Sequence, residues 1–372
     1  NSAEDWYIID VMRGMAWPPS PSAQAFLRPN LSAAESANAD NYPHATSNGF
    51  RLTFESSTNT SGANYIYVAI RRPMKTPEAG TEVFKAVSRS GNSTAGTSIT
   101  CGFPLDWVVT QGRSAAIEPI SYTRLQGSGR KLFTYSTSAE GSSGTNVITS
   151  FDQDGMTVGT DTDINNSSYT YINWFFKRAT GFFDVVAYVA DQTSTHAHNL
   201  GVTPEFAIIK QRNGTNGWKA YHSYLGNNQY LQLHNTNLAA TDTGWASVNA
   251  STFFLKANNG NNIAYLFATL DGVSKVGSYT GTGSNVDVNC GFSSTARFVL
   301  IKRTDSTGDW YVYDHARGIV AGNDPFQEWN NATAETGSTD YIDPLSTGFT
   351  ITSSAPADLN TSGGTYIFLA IA

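Results

Sequence analysis

The chain predicts an all-β protein made of tandem antiparallel β-sandwich repeats, jelly-roll-like in character. Charged residues supply only 14% of its 372 positions, against about 25% in an average globular protein. Ser, Thr, Asn and Gly replace them, and these are the residues of short strands joined by hydrogen-bonding turns. Aromatic residues reach 12%, and such rings suit pleated, half-buried surfaces. The third observation is internal repetition.

Asp5-Trp6-Tyr7 with Asp10 and Arg13-Gly14 near the start matches Asp309-Trp310-Tyr311 with Asp314 and Arg317-Gly318 near the end. In the same order, Gly49-Phe50 matches Gly348-Phe349, and Asn59-Thr60-Ser61-Gly62 matches Asn360-Thr361-Ser362-Gly363. The aromatic run Tyr65–Ile70 then matches Tyr366–Ile371. Two more worn copies lie between. Cys101-Gly102-Phe103, Leu200-Gly201-Val202 and Cys290-Gly291-Phe292 hold one place. Apolar strands follow them at Trp107, Phe206 and Phe298. The second copy has lost the clear Asp-Trp-Tyr strand. The period is roughly 90 to 105 residues, too long for a propeller blade or solenoid coil and right for a small sandwich. The predicted units are residues 1–78, the C-terminal part of a first repeat, then 79–180, 181–271 and 272–372.

Within the last copy each element has a local reason. Val276–Gly281 runs into a glycine turn. Asn285–Cys290 alternates polar and apolar residues, the mark of a half-buried strand. Arg297–Lys302 is a continuous apolar run, as expected of a central strand. Asp305-Ser306-Thr307-Gly308 is a turn, and Asp309–Asp314 is the hairpin partner of the central strand. Phe349–Thr352 alternates again before the closing strand. Only Ser32–Ala37 suggests a short helical turn. Two architectures fit: one sandwich of about seven strands per repeat, or two repeats joined in one concanavalin-type jelly-roll. The tight joint between Tyr265 and Tyr279, with only Asp271-Gly272 as a turn, suggests that neighbours pack together and so favours the paired jelly-roll.

Composition bounds the function. The net charge of −7 and pI near 5.3 fit no basic groove, so nucleic acid is excluded as a partner. Arg71-Arg72 with Lys75, and Lys177-Arg178, read as strand-end punctuation. No run of about 18 apolar residues offers a membrane span. Two cysteines exclude a disulfide-built scaffold. The start has no initiator Met and enters the first repeat at its Trp-Tyr strand, which predicts that further polypeptide precedes it.

Candidate chemistry is sparse. No Gly-x-Ser-x-Gly elbow, phosphate loop or His-Glu-x-x-His is present, so the chain is not expected to be an enzyme and no cofactor is expected. Cys101 and Cys290 read as small buried apolar residues. His196 and His198 form a His-x-His pair without a third ligand nearby in sequence. Asp152-Gln153-Asp154-Gly155 resembles the start of a calcium loop, but the repeat alignment makes it a turn entering a strand. Asp10 with Arg13 and Asp314 with Arg317 recur, which favours a structural ion pair. For sugar binding, Trp17 and Trp329 are the loop-borne candidates, against the ordinary alternative of a packed indole.

Several runs carry a family likeness. They are Lys275–Gly283, Phe298–Ser306, Asp309-Trp310-Tyr311 and Asn360–Phe368, with Tyr65–Pro77 and Thr170–Arg178 earlier. Together they resemble a β-repeat domain frequent in tail-fibre and other virion proteins of tailed bacteriophages, laminin-G or concanavalin-like in flavour. The resemblance implies a structural virion protein, a tail fibre or appendage on the outer particle surface. It implies other virion proteins and the chain itself as partners, a homotrimer by analogy with long fibres, and a host surface polysaccharide as a ligand. A carbohydrate-binding module or a capsid decoration protein is the alternative.

Overall fold

Three units with the same strand plan are joined in one chain, in a computed structural model that describes residues 5–13, 15, 24–38, 43–46, 49–52, 56–142 and 146–372. Each unit pairs a large antiparallel sheet with a small three-stranded one. The all-β expectation holds.

The plan is clearest in the fourth repeat. An opening strand, Ser274–Thr280, lies beside the closing strand, Thr365–Ile371. The closing strand pairs on its other side with a lead strand, Phe298–Arg303. Trp310–Asp314 and Gln327–Glu328 extend the sheet outward. The small sheet sets Val286–Asn289 and Ile342–Leu345 on either side of Gly348–Ile351. The third repeat copies this with opening, closing and lead strands Phe183–Ala190, Gly260–Phe267 and Phe206–Gln211. The second copies it with Phe84–Ser90, Thr170–Phe176 and Trp107–Gly112.

Strand periodicity explains the arrangement. Side chains alternate between faces, yet the lead and closing strands read as unbroken apolar runs, so both of their faces must be covered. In the fourth repeat Phe298, Leu300, Ile367, Leu369 and Ile371 enter one core, while Val299, Ile301, Tyr366, Phe368 and Ala370 enter another. The second group packs against the repeat's own small sheet. The first group meets its counterparts from the other two repeats, among them Trp107, Val109, Trp174 and Phe176, and Phe206, Ile208, Tyr265 and Phe267. The large sheets therefore face inward around one shared core. The paired jelly-roll is not formed: each repeat is its own sandwich with its own core, and the three also pack on one another.

Ring contacts at the centre cross repeat boundaries. Trp107 of the second repeat lies 4.5 Å from Tyr265 of the third, and Phe176 of the second lies 5.7 Å from Phe298 of the fourth. Packing of this kind is worth about 0.5–1.5 kcal/mol per pair beyond simple burial.

The repeated glycine of the Cys-Gly-Phe and Leu-Gly-Val motifs has a backbone reason. Gly102, Gly201 and Gly291 all take positive φ, 88°, 79° and 74°, a region open to glycine at little cost. The helical turn expected over Ser32–Ala37 is not formed. Ser36–Asn38 pairs instead with Gln24–Phe26.

Candidate functional site

The most elaborate polar chemistry lies where one repeat meets the next. Ladder register aligns Gln111, Lys210 and Lys302 near the ends of the three lead strands, opposite Ile172, Ile263 and Ile367. Two residues further on stand Arg113, Arg212 and Thr304. Each lead strand uses these positions to grip the outer edge of another repeat.

At the third-to-second junction, Arg212 donates from Nε and Nη2 to both Glu140 carboxylate oxygens, at 2.6 and 2.9 Å. The Glu140 amide donates 2.7 Å to the Arg212 carbonyl, and Lys210 Nζ donates 3.2 Å to the Thr137 carbonyl. The fork matches the planar carboxylate, which makes such pairs strong and directional. At the second-to-fourth junction, Arg113 donates to Glu335 at 2.7 and 2.8 Å. The Glu335 amide donates 2.8 Å to the Arg113 carbonyl, and Gln111 Nε2 donates 3.1 Å to the Asn331 carbonyl. At the fourth-to-third junction the ion pair is absent by sequence, with Thr304 and Ala239 in its place. The backbone bond survives, Ala239 amide to Thr304 carbonyl at 2.9 Å, and Lys302 Nζ donates 3.2 Å to the Thr236 carbonyl.

The tryptophans follow the same order. Trp218 Nε1 donates 2.8 Å to the Phe133 carbonyl, and Trp310 Nε1 donates 2.9 Å to the Gln232 carbonyl. The second repeat has Pro119 at this register, the residue behind its lost Asp-Trp-Tyr signature. The contacts run third to second, fourth to third and second to fourth. They are head-to-tail and they close, as heterologous interfaces do when the rotation completes a ring.

Burial tunes the charges here. Desolvation lowers Lys210 and Lys302 to about 8, since a buried ammonium loses its hydration. Asp314 and Arg317 have fully buried side chains and pair at 2.7 Å. The Arg317 guanidinium also lies over Trp174, 5.3 Å from its ring centroid. The recurring Asp–Arg motif is thus a structural lock. Its half-exposed copy, Asp10 with Arg13 and Glu35, keeps the same internal contacts.

The other sequence candidates fall as follows. Trp17 lies outside the described residues. Trp329, the other candidate for sugar binding, is the packed indole of the two readings, 1% exposed. Its ring sits 5.7 Å from Trp107 and 6.0 Å from both Trp174 and Phe298, because its backbone pairs beside Trp310 and turns the indole into the shared core. His198 uses both ring nitrogens locally, Nδ1 with the Leu200 amide and Nε2 with the Asn249 carbonyl. His196 packs against Tyr188 in a tilted arrangement, with ring centroids 4.3 Å apart. Asp152 closes the turn between Ile148–Phe151 and Gly155–Val158 and accepts from the Ser150 and Thr157 hydroxyls. Among the described residues, no group of three or more His, Cys, Asp or Glu is placed to hold a metal ion.

Sequence reasoning missed Lys210, Arg212, Glu140, Gln111, Arg113 and Glu335. The available signal was the repeat of Lys210-Gln211-Arg212 and Lys302-Arg303-Thr304 at the ends of aligned apolar strands.

No curated protein matches the chain. A family model described as a domain of unknown function, DUF7483, matches residues 1–73 and 79–372, and the chain belongs to that family.

Proposed function

We propose that the chain is a non-enzymatic structural protein, a tail fibre or tail-associated appendage on the outer surface of a bacteriophage particle. One observation carries the structural part. Seven buried or half-buried ionisable groups, of the kind that can mark an active site, are spent on joining repeats. Lys210, Arg212, Glu140, Arg113, Glu335, Asp314 and Arg317 each bind across a junction or support a group that does. A closed ring of sandwiches around one core is a stiff block suited to carrying load.

The phage setting rests on the resemblance of Val273–Ala372 and the earlier runs to tailed-phage virion proteins. The ring does not itself need a trimer of chains, because its three repeats already meet head to tail. The test is mass spectrometry and immunolabelling of purified particles from the phage or prophage that encodes the chain. Stoichiometric recovery with label on the tail is expected. Label confined to the capsid would move the protein to a decoration role, and absence from washed particles would overturn the reading.

A further inference from the structure

Residues 66–70 hold the place of a closing strand but have no sheet to belong to. The first repeat keeps the local scaffolding of its complete relatives. The Thr60 amide donates 2.9 Å to the Tyr65 hydroxyl, as Asn166 does to Tyr171 at 2.9 Å and Thr361 to Tyr366 at 2.8 Å. Phe50 meets Tyr67 edge-on at 5.1 Å, as Phe349 meets Phe368 at 5.3 Å. Short helices at Ser56–Asn59, Thr162–Asn165 and Ala357–Asn360 precede these latches.

The surroundings then differ. Val68 is 88% exposed and Ile70 is 92% exposed, whereas Leu369 and Ile371 at the same repeat positions are 2% and 0% exposed. In the complete repeats this strand lies at the heart of the large sheet, with an antiparallel neighbour on each edge. Among the described residues, nothing pairs with 66–70. Trp6 is 59% exposed while its counterpart Trp310 is 1% exposed. The segment is tethered beyond its end: Arg71 donates 2.8 Å to the Asn199 side chain, and Thr180 Oγ1 donates 2.8 Å to the Met74 carbonyl. A row of exposed apolar side chains on a segment whose two backbone edges are open is a template for strand addition.

We propose that residues 66–70 are the central strand of a fourth large sheet. Its partner is a polypeptide that brings two antiparallel strands with the pattern of Ser274–Thr280 and Phe298–Arg303, one for each edge. The fourth repeat gives the register. Ile367 faces Ser278 on one side and Lys302 on the other, and Ile371 faces Ser274 and Phe298. Ile66 and Ile70 take the matching places.

The probe is a second copy of residues 272–308 fused ahead of the full chain, read by amide hydrogen exchange. In the unextended chain, amides of 66–70 exchange within seconds, while those of Thr365–Ile371 stay protected. The fusion slows residues 66–70 by at least about 100-fold. A control fusion with Val299→Asp and Ile301→Asp in the added copy leaves them fast. A second readout does not depend on peptide coverage: a Val68→Cys thiol reacts quickly with maleimide in the unextended chain and slowly in the fusion. Fast exchange and fast labelling in a fusion whose ring amides remain protected would overturn the proposal. So would protection in the unextended chain; if light scattering then showed a dimer, a second copy would be the occupant.

Discussion

The indole nitrogen of Trp174, in the second repeat, donates 2.8 Å to the Asp314 carboxylate of the fourth. The same carboxylate oxygen receives Arg317 Nε at 2.7 Å, and its partner oxygen caps the amides of Ala316 and Arg317. One buried side chain therefore joins two repeats, neutralises a guanidinium and ends a strand.

Asp314→Ala should destabilise the chain by about 3–5 kcal/mol, because it leaves Arg317 buried without its counter-charge. Asp314→Ala with Arg317→Met should recover part of that loss, since a buried pair replaced by apolar groups is often near neutral. Urea unfolding of the two variants checks this. Equal losses would mean that the cost lies in the strand cap and the Trp174 bond, not in the stranded charge. Arg13→Ala, in the half-exposed copy of the motif, should change stability by less than about 1 kcal/mol.

The fourth-to-third junction shows what a ring contact looks like without its ion pair. Arg212→Ala alone should cost about 3 kcal/mol, by leaving the largely buried Glu140 without its bidentate partner, with Gln126 Nε2 at 2.8 Å and Arg130 Nε at 4.0 Å as its remaining contacts. Arg212→Thr with Glu140→Ala copies Thr304 and Ala239 into the third-to-second junction, and should cost distinctly less than the single change. A double-mutant cycle measures the coupling. A coupling near zero would show that the backbone bond from residue 140 to the Arg212 carbonyl does the holding.

Much of the fold was legible in the sequence, and the limit has a physical cause. Repetition and alternation marked the lead and closing strands, and the unbroken apolar run Phe298–Ile301 marked a strand covered on both faces. A run covered on both faces does not name what covers it, so the shared core was invisible. Trp329 shows the same gap. Its neighbours Glu328, Asn330 and Asn331 are polar, which reads as a loop, yet a two-residue strand, Gln327–Glu328, aims the next ring inward. The junction residues were hidden because their partners lie more than 70 positions away, as Arg212 does from Glu140 and Arg113 from Glu335.

Trp329→Ala should cost about 3–5 kcal/mol, the usual penalty for emptying a packed aromatic site. The loss should appear in thermal unfolding at any sugar concentration. A polysaccharide that shifted the melting temperature of the native chain but not of the variant would return Trp329 to the ligand-binding candidates.

Cys101 and Cys290 occupy the same place in two repeats and are both buried. Desolvation pushes their thiols up to about 11 and about 12, and the thiol form is a poor nucleophile. Native protein near neutral pH should therefore resist a disulfide reagent for many minutes, and both thiols should titrate once the chain is unfolded in guanidinium. Rapid native reaction at one site would reveal local opening of that repeat's small sheet.

Glu328 gives the sharpest pH test. Burial, and then the charge of nearby Asp309, raise its carboxyl from 4.5 to about 7. Between those values the folded chain holds a proton that the unfolded chain has released. By linkage, the contribution of Glu328 to stability is fully present below about pH 4.5 and is lost as pH rises through about 7. Glu328→Gln fixes the neutral form and keeps a side chain able to bond Asn331, which now donates 3.1 Å to Glu328 Oε2. The variant should melt higher than the parent at about pH 8 and close to it at about pH 4.5. Buried His222, lowered by desolvation to about 3, acts in the opposite sense, adding stability that is lost as pH falls below about 6.5. It is present in both proteins, so the difference between their melting curves isolates Glu328. A constant difference across the range would show that position 328 acts through packing and not through its proton.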